Sequence, residues 1–262
     1  MPAKGEKYFF ISSLAKGIKV LEQIAEHGPL TVTGVANMLG YNRAAAHRFL
    51  ATLRELGYVE KAETDCYHLT FRLLEIGMKA DNRSEIPRLA RIYTQELSVA
   101  FNETVNLGYF DGWDIFHLDK IDSKEILRVD SPLGSRAPAY CTALGKAILA
   151  FLPQEELENY LIRTKLKART PNTITKRKQL FKELKEIHER GYSQDNEEMA
   201  AGLRCIAAPV FDRNGRSVYA ISVSGPSIRM TDERIQSIHP KVQEVCKSLS
   251  KRLGSPPSED AL

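Results

Sequence analysis

TVTGVANMLGYNRAAAHRFLATLRELG, residues 31–57, decides the fold of the first third of the chain. Its apolar residues recur at helical spacing in two runs, separated by about three residues around Gly40. Thr31 is placed to cap a helix that turns Val32, Val35, Ala36 and Leu39 inward and stops at Gly40. After Tyr41, Asn42 is placed to cap a second helix, with Ala46, Phe49, Leu50, Leu53 and Leu56 on its buried stripe and Gly57 at its end. Two short helices joined through a glycine form the helix-turn-helix pattern. Upstream, Ser13 to Gly28 reads as another helix, with Leu14, Ile18, Leu21, Ile24 and Ala25 on one face. Downstream, Tyr58-Val59 and Cys66 to Thr70 read as two short strands around the polar turn Glu60 to Asp65. That hairpin makes the module winged.

The second helix of the pair carries Arg43, His47, Arg48 and Arg54 against Glu55 alone. Arg43, Ala44 and His47 fall opposite Phe49, Leu50 and Leu53, at the end that a recognition helix inserts into the major groove. Arginine there can bond guanine edges, and helix N–H groups can hold phosphate. Arg48 has a structural alternative, pairing with Glu55. Residues 1–80 hold 10 Lys and Arg against 8 Asp and Glu, only mildly basic. Spacing alone leaves both readings open, a DNA-binding module or a protein-contact module of the same shape.

The whole chain, 262 residues with 43% hydrophobic and 27% charged, has globular composition and room for two modest domains. Its net charge of +4 is small for a protein that coats a polyanion, so a nucleic-acid contact has to be local. No run approaches 18 apolar residues, and Met1 to Phe10 has no apolar core before a cleavage site, so a cytoplasmic protein is expected. Cys66, Cys141, Cys205 and Cys246 are scattered without a C-x-x-C pair, which predicts neither a disulfide framework nor a zinc knuckle.

Two helical stretches span Phe71 to Phe101, broken near residues 81–84, with Leu73, Leu74 and Ile76 marking the first. Beyond them strands and helices mix. Thr104–Phe110 and Trp113–Ile121 flank Asp111-Gly112, a hairpin signal. Ile126–Val129 reads as a short strand and Pro132–Pro138 as a loop. Helices are expected over Thr142–Leu152, Gln154–Arg163 and Thr175–Arg190. A second hairpin joins Cys205–Phe211 to Ser217–Ser224, and a last helix follows Thr231, with Ile235, Ile238, Val242, Val245, Leu249 and Leu253 inward. Helices set against a mostly antiparallel sheet make this half α+β. Lys165 to Arg190 holds nine Lys and Arg against three acids, read as a solvated helix face.

The strand Ser217–Ser224 has unlike faces: Tyr219, Ile221 and Val223 on one, Val218, Ala220, Ser222 and Ser224 on the other. Small residues leave space, and hydroxyls can bond a polar guest. Cys205 and Ala207 repeat that small character. Cys141 to Gly145 opens a helix whose N–H groups suit an anion, and Asp195 with Glu197 or Glu198 can accept from hydroxyls. Together these predict a small polar pocket. A Cys205 nucleophile would need a base, and His117 is the only histidine in a strand of this half, with nothing tying it to Cys205. A metal on Asp195, Cys205 and His117 is a minor alternative. No G-x-S-x-G, P-loop or G-x-G-x-x-G is present.

From about Tyr8 to Leu253 the chain resembles the IclR family of bacterial transcriptional regulators. The matching blocks are Ser13 to Gly28, Asn42 to Leu53 with Gly57-Tyr58-Val59, Cys141 to Ala147, and Asn172 to Thr175. The most specific run from Asp195 through Glu197-Glu198 and Gly202-Leu203-Arg204-Cys205 to Val210, then Ser222 to Pro226. The resemblance implies a winged helix-turn-helix domain at 8–70, a linker helix at 71–82 and a GAF-like effector-binding domain at 83–254; the Ser/Pro composition from Ser255 predicts a disordered tail at 255–262. It implies no enzymatic activity and no cofactor, dimers or paired dimers on palindromic double-stranded operators, more often as a repressor, and control by a small organic acid. DNA contacts are then expected from Thr31, Asn42, Arg43, Ala44, Ala45, His47 and Arg48. Effector contacts are expected from Ala143, Leu144, Asp195, Cys205, Ser222 and Ser224. Where many members have Ser-Thr, this chain has Ala44-Ala45, which removes two hydroxyl contacts and leaves methyl groups for a thymine methyl. The rival reading is a small-acid-processing enzyme using Cys205 and Asp195, with the first half as an interaction module.

Overall fold

The computed structural model describes residues 10–80 and 85–256, and divides into two units, one up to Ser84 and one from Glu85. In the first, α1 (Ser12–His27), α2 (Val32–Leu39) and α3 (Arg43–Glu55) precede a hairpin of β1 (Val59–Lys61) and β2 (Tyr67–Leu69). Both turn signals act as expected. The Thr31 side chain accepts from the Gly34 N–H at 3.1 Å, and Gly40 takes the left-handed conformation (φ 65°) that ends α2. Asn42 Oδ1 accepts from the Ala45 N–H at 2.8 Å and starts α3. The core of this unit is Val20, Ile24, Val35, Ala36, Ala46, Leu50, Leu53, Val59 and Tyr67. Helix α4 (Arg72–Ala80) closes the unit.

The α1 face differs from expectation. Val20 and Ile24 are buried, whereas Leu14 and Ile18 are 60% and 47% exposed and Ala25 is exposed. Leu14 and Ile18 continue the line of Phe10 and Ile11, also exposed, so the N-terminal part of the stripe read as core is a surface stripe, while Leu21 and Ile24 pack with the core as expected. Leu56 is exposed as well, because α3 ends one residue before it.

The second unit begins with α5 (Glu85–Phe101), then β3 (Thr104–Phe110), β4 (Asp114–Ile121) and β5 (Arg136–Pro138). A 3-10 turn (Ala139–Cys141) leads into α6 (Ala143–Leu149), α7 (Gln154–Arg163) and α8 (Arg177–Arg190). The chain ends through β6 (Ser193–Asn196), β7 (Leu203–Phe211), β8 (Ser217–Pro226) and α9 (Asp232–Arg252). All neighbours in the sheet β5-β4-β3-β8-β7-β6 are antiparallel. Helices α5 and α9 cover one face, over Val105, Leu107, Ile206, Ala208, Val210, Ile221 and Val223. The other face, with Ile115, Cys205, Ala207 and Ala220, meets α6, behind which α7 and α8 pack.

Alternation along β8 places Tyr219, Ile221 and Val223 in the first core and Ala220 in the second, as the two-faced reading requires. Val218 departs and packs with the α9 side. Ile126–Val129 is not a strand: Ile126 is 99% exposed, and the outer neighbour of β4, on the side away from β3, is β5, inside the expected loop. β6 was not read from sequence. Its residues Ser193, Gln194, Asp195 and Asn196 carry no apolar alternation. Of the expected segments, residues 8–9, 81–84 and 257–262 lie outside the described residues.

Candidate functional site

Two sites emerge, one in each unit. On α3, Arg43, Ala44, His47 and Arg48 are exposed while Ala46, Leu50 and Leu53 face the core. Ala45 is half-buried beneath the Asn42 cap. Arg48 and Glu55 make no ion pair among the described residues, so the arginine head stays on the surface. No acidic residue stands in the first turn of α3. The outer N-terminal face of α3 is thus a cationic, small-residue surface of the kind that enters a DNA groove. Thr31 and Asn42 sit at the starts of α2 and α3 with their side-chain oxygens already used as caps.

The second site is a cavity of about 380 Å³ between the sheet and the start of α6. Strand register builds its floor. Asp195 on β6 stands opposite Cys205 on β7, and Cys205 opposite Ser224 on β8. Two positions along, Ala207, Ser222 and Asn106 of β3 form the next row. Asp195, Cys205, Ser224, Ser222 and Asn106 all line the cavity, as do Ala143 and Leu144. Every expected effector residue therefore reaches one space. Two glycines let the walls close. A Cβ on Gly108 would lie 2.8 Å from Ile115 and 2.9 Å from Leu144, and one on Gly145 would run into the backbone of Ala139.

Asn106 and His117 line the cavity and were not singled out as effector residues. Asn106 lies in Thr104-x-Asn106-x-Gly108, the same small-polar alternation that marked β8, so its signal was present. Asn106 is 1% exposed and its Oδ1 has no hydrogen-bond partner, while its Nδ2 is 3.4 Å from Ser224 Oγ. His117 Nδ1 is likewise buried without a partner, and burial, helped by the charge of Lys120, holds its pKa below the usual histidine value. The imidazole is therefore neutral at pH 7, ready to donate or accept. Ser222 and Ser224 hydroxyls lie 3.3 Å apart.

Asp195 is the carboxyl group of the floor. Its Oδ1 accepts from the N–H groups of Glu198 (2.7 Å) and Met199 (3.3 Å). Burial raises its pKa to about 7, and those bonds and Lys146 offset only part of that rise. Lys146 of α6 pairs with Glu198, both side chains buried. The turn is held from outside too, since Thr173 Oγ1 donates to the Glu198 carbonyl at 2.6 Å.

This chemistry does not make Cys205 a nucleophile. Burial, then the neighbouring Asp195 charge, raises its thiol pKa, and a thiolate at neutral pH is thereby disfavoured. Cys141, half a turn before α6, is pushed up to about 12 for the same reason. Among the described residues no three His, Cys, Asp or Glu side chains converge to hold a metal, so His117, Asp195 and Cys205 are not assembled as that alternative required.

A winged helix-turn-helix with a cationic outer helix defines a DNA-binding transcriptional regulator. The chain belongs to the IclR family: residues 13–63 match the IclR helix-turn-helix domain and residues 78–251 the C-terminal domain of the bacterial transcriptional regulator IclR. It is 36% identical over 245 residues to the HTH-type transcriptional regulator KdgR of Escherichia coli K12, covering 93% of each chain. The transcriptional repressor IclR of the same strain is 31% identical over 97% of this chain and 92% of its own. The crystal structure of Thermotoga maritima IclR superposes with a TM-score of 0.80 at 33% identity, covering 94% of this chain and 100% of that one. These relatives are regulators, and the enzyme reading has no support among them. Among the described residues no helix is long and apolar enough to cross a membrane.

Proposed function

We propose that this regulator is a repressor whose operator affinity is set by a short, hydroxylated organic acid bound in the cavity of the second unit. The observation that carries this reading is that two residues lining the cavity each keep a buried polar atom without a partner, Asn106 Oδ1 and His117 Nδ1. A buried polar atom left unpaired costs about 1–3 kcal/mol, and a ligand that pairs it recovers that energy. Ser222, Ser224, Asn106 and Asp195 suit hydroxyl groups. Arg136, the one Lys or Arg in the lining, pairs with Asp111 and has further N–H donors that suit a carboxylate. A half-protonated Asp195 reduces repulsion of an anion near neutral pH. The second unit then takes the role of a GAF-like effector-binding domain.

DNA contacts in this reading come from Arg43, Ala44, Ala45, His47 and Arg48, with Thr31 and Asn42 contributing from the capped helix starts. Two copies would meet through the first units, where Phe10, Ile11, Leu14 and Ile18 form an exposed apolar stripe and Phe71 and Leu74 of the α4 region are also exposed. Such a dimer suits a palindromic operator. Pairing of dimers into tetramers is the larger assembly, and the cytoplasm, with the chromosome, is the place of action. The ligand acts only through differential affinity for two arrangements of the protein.

The test is a thermal-shift screen of the full chain against short organic acids, sugar acids and aromatic acids. Acids that shift the melting temperature are then added to the protein on an operator selected in vitro from random duplexes. A several-degree rise with a change in operator affinity is expected. A flat screen, or hits without effect on DNA affinity, would refute control by an acid.

A further inference from the structure

The surface of the second unit carries charge that the regulator role, as described, leaves unused. Between Glu158 and Glu183 the chain has eight Lys and Arg and no acidic residue. The whole chain is only +4, so this segment of +8 leaves the remainder at −4. All eight are exposed.

Their backbone is fixed. After Thr164, which is extended, Leu166 packs against the core and turns Lys165 and Lys167 outward. The buried Tyr140 hydroxyl donates to the Lys167 carbonyl at 2.8 Å and accepts from the Lys167 N–H at 3.2 Å. Thr173 Oγ1 accepts from the N–H groups of Arg169 and Thr170 at 3.0 and 2.9 Å. The row Lys165, Lys167, Arg169 is therefore presented from a pinned strand-like edge. The chain next enters α8 through Lys176, Arg177 and Lys178, with no acid in the first turn and no side-chain cap on Lys176.

Cations at a helix N-terminus oppose the helix dipole, so this placement works against the stability of α8. A merely solvated face mixes signs. Here Lys165, Lys167, Lys176 and Lys178 have no ion-pair partner among the described residues. Five of the eight cations are lysines, a residue that protein–protein interfaces avoid. Phosphate backbones, with one charge per about 1.7 Å of duplex, match such a row. Once an operator is held, its flanking duplex is present at high local concentration.

We propose that this edge of the second unit is a further, sequence-independent contact to the phosphates of double-stranded DNA beyond the bases read by α3. The inference rests on the DNA-binding reading of the first unit.

The experiment measures binding of the full chain to a 60-base-pair duplex of arbitrary sequence as salt is varied. In Lys165→Gln/Lys167→Gln/Lys176→Gln/Lys178→Gln, the slope of log affinity against log salt should shrink by roughly 3–4, at about 0.9 per lost phosphate contact. The exposed positions and the relief at the start of α8 predict an unchanged or higher melting temperature. Should that protein not fold, Lys165→Gln/Lys167→Gln alone should lower the slope by about 2. An unchanged slope in a folded variant overturns the proposal. So does loss of poly-glutamate binding with DNA binding intact, which would assign the edge to an acidic protein. Failure of the parent chain to bind any duplex at low salt would overturn the DNA-binding reading itself. Arg43→Ala/Arg48→Ala, which alters only α3, should keep the salt slope contributed by the edge.

Discussion

Lys146 and Glu198 form an ion pair from which solvent is excluded, with 1% and 7% of their side chains exposed. The pair joins α6 to the turn after β6, and the N–H of Glu198 in that turn holds Asp195 Oδ1. The charge pair thus fixes one wall of the cavity, while Glu198 Oε2 has no further partner. Lys146→Met should leave a buried carboxylate without its counter-ion and destabilise the protein by about 3–5 kcal/mol. Lys146→Met/Glu198→Met should recover most of that. Urea unfolding of the two variants decides, and a single-variant loss below about 1 kcal/mol would mean the pair does not anchor the turn.

Asp195 gives the fold a pH dependence of definite sign. Its folded pKa, about 7, lies above the ordinary carboxyl value, so the fold binds a proton that the unfolded chain has already lost. The contribution is greatest at low pH and is lost as pH rises from about 4 through 7. Asp195→Asn should gain on the parent by about 2–3 kcal/mol between pH 5 and pH 8. Melting curves at the two values test this, and a constant offset would show that Asp195 ionises normally.

On the DNA side, Arg43→Ala should weaken binding to an in vitro selected operator by about 1–3 kcal/mol if the arginine reads a guanine. Binding to unrelated duplex should fall far less. Equal losses on both would reassign Arg43 to a phosphate.

Ser222→Leu places a large apolar side chain in the cavity floor. The response to an acid found by thermal shift should vanish, with at least a tenfold weaker affinity for that acid. Operator binding without ligand should be kept. Retained response would move the ligand elsewhere.

Gly145→Ala puts a methyl group onto the Ala139 backbone, which cannot swing aside as a side chain would. A loss of about 2–3 kcal/mol or more is expected from overpacking alone. A neutral outcome in thermal unfolding would show that the 3-10 turn before α6 yields easily.

Much of this architecture was legible because its determinants are local. Thr31 and Asn42 cap where they were expected to, and the inward stripes of α2, α3 and α9 follow helical spacing. β6 was not legible, since Ser193 to Asn196 owe their strand conformation to pairing with β7 and not to their own pattern. Leu14 and Ile18 misled for the opposite reason: an apolar stripe records burial but not against what. In the cavity, Cys205, Ser222 and Ser224 were readable from residue size and strand alternation, and Asp195 only as a hydrogen-bond acceptor within the most specific family block. His117 was visible only as a histidine in a strand, because its role depends on register with Gly108 across β3.

The two faces of β8 carry different obligations. Tyr219, Ile221 and Val223 answer to the helices α5 and α9, whereas Ser222 and Ser224 face the cavity, where their partners are each other and Asn106. If the cavity holds the effector, as proposed, alternate positions of one strand are thereby separated as heritable characters: a descendant can exchange its chemical signal at residues 222 and 224 while the packing written at 219, 221 and 223 passes on. On that reading such a scaffold would diversify in what it senses by steps of one residue, without passing through an unfolded intermediate generation.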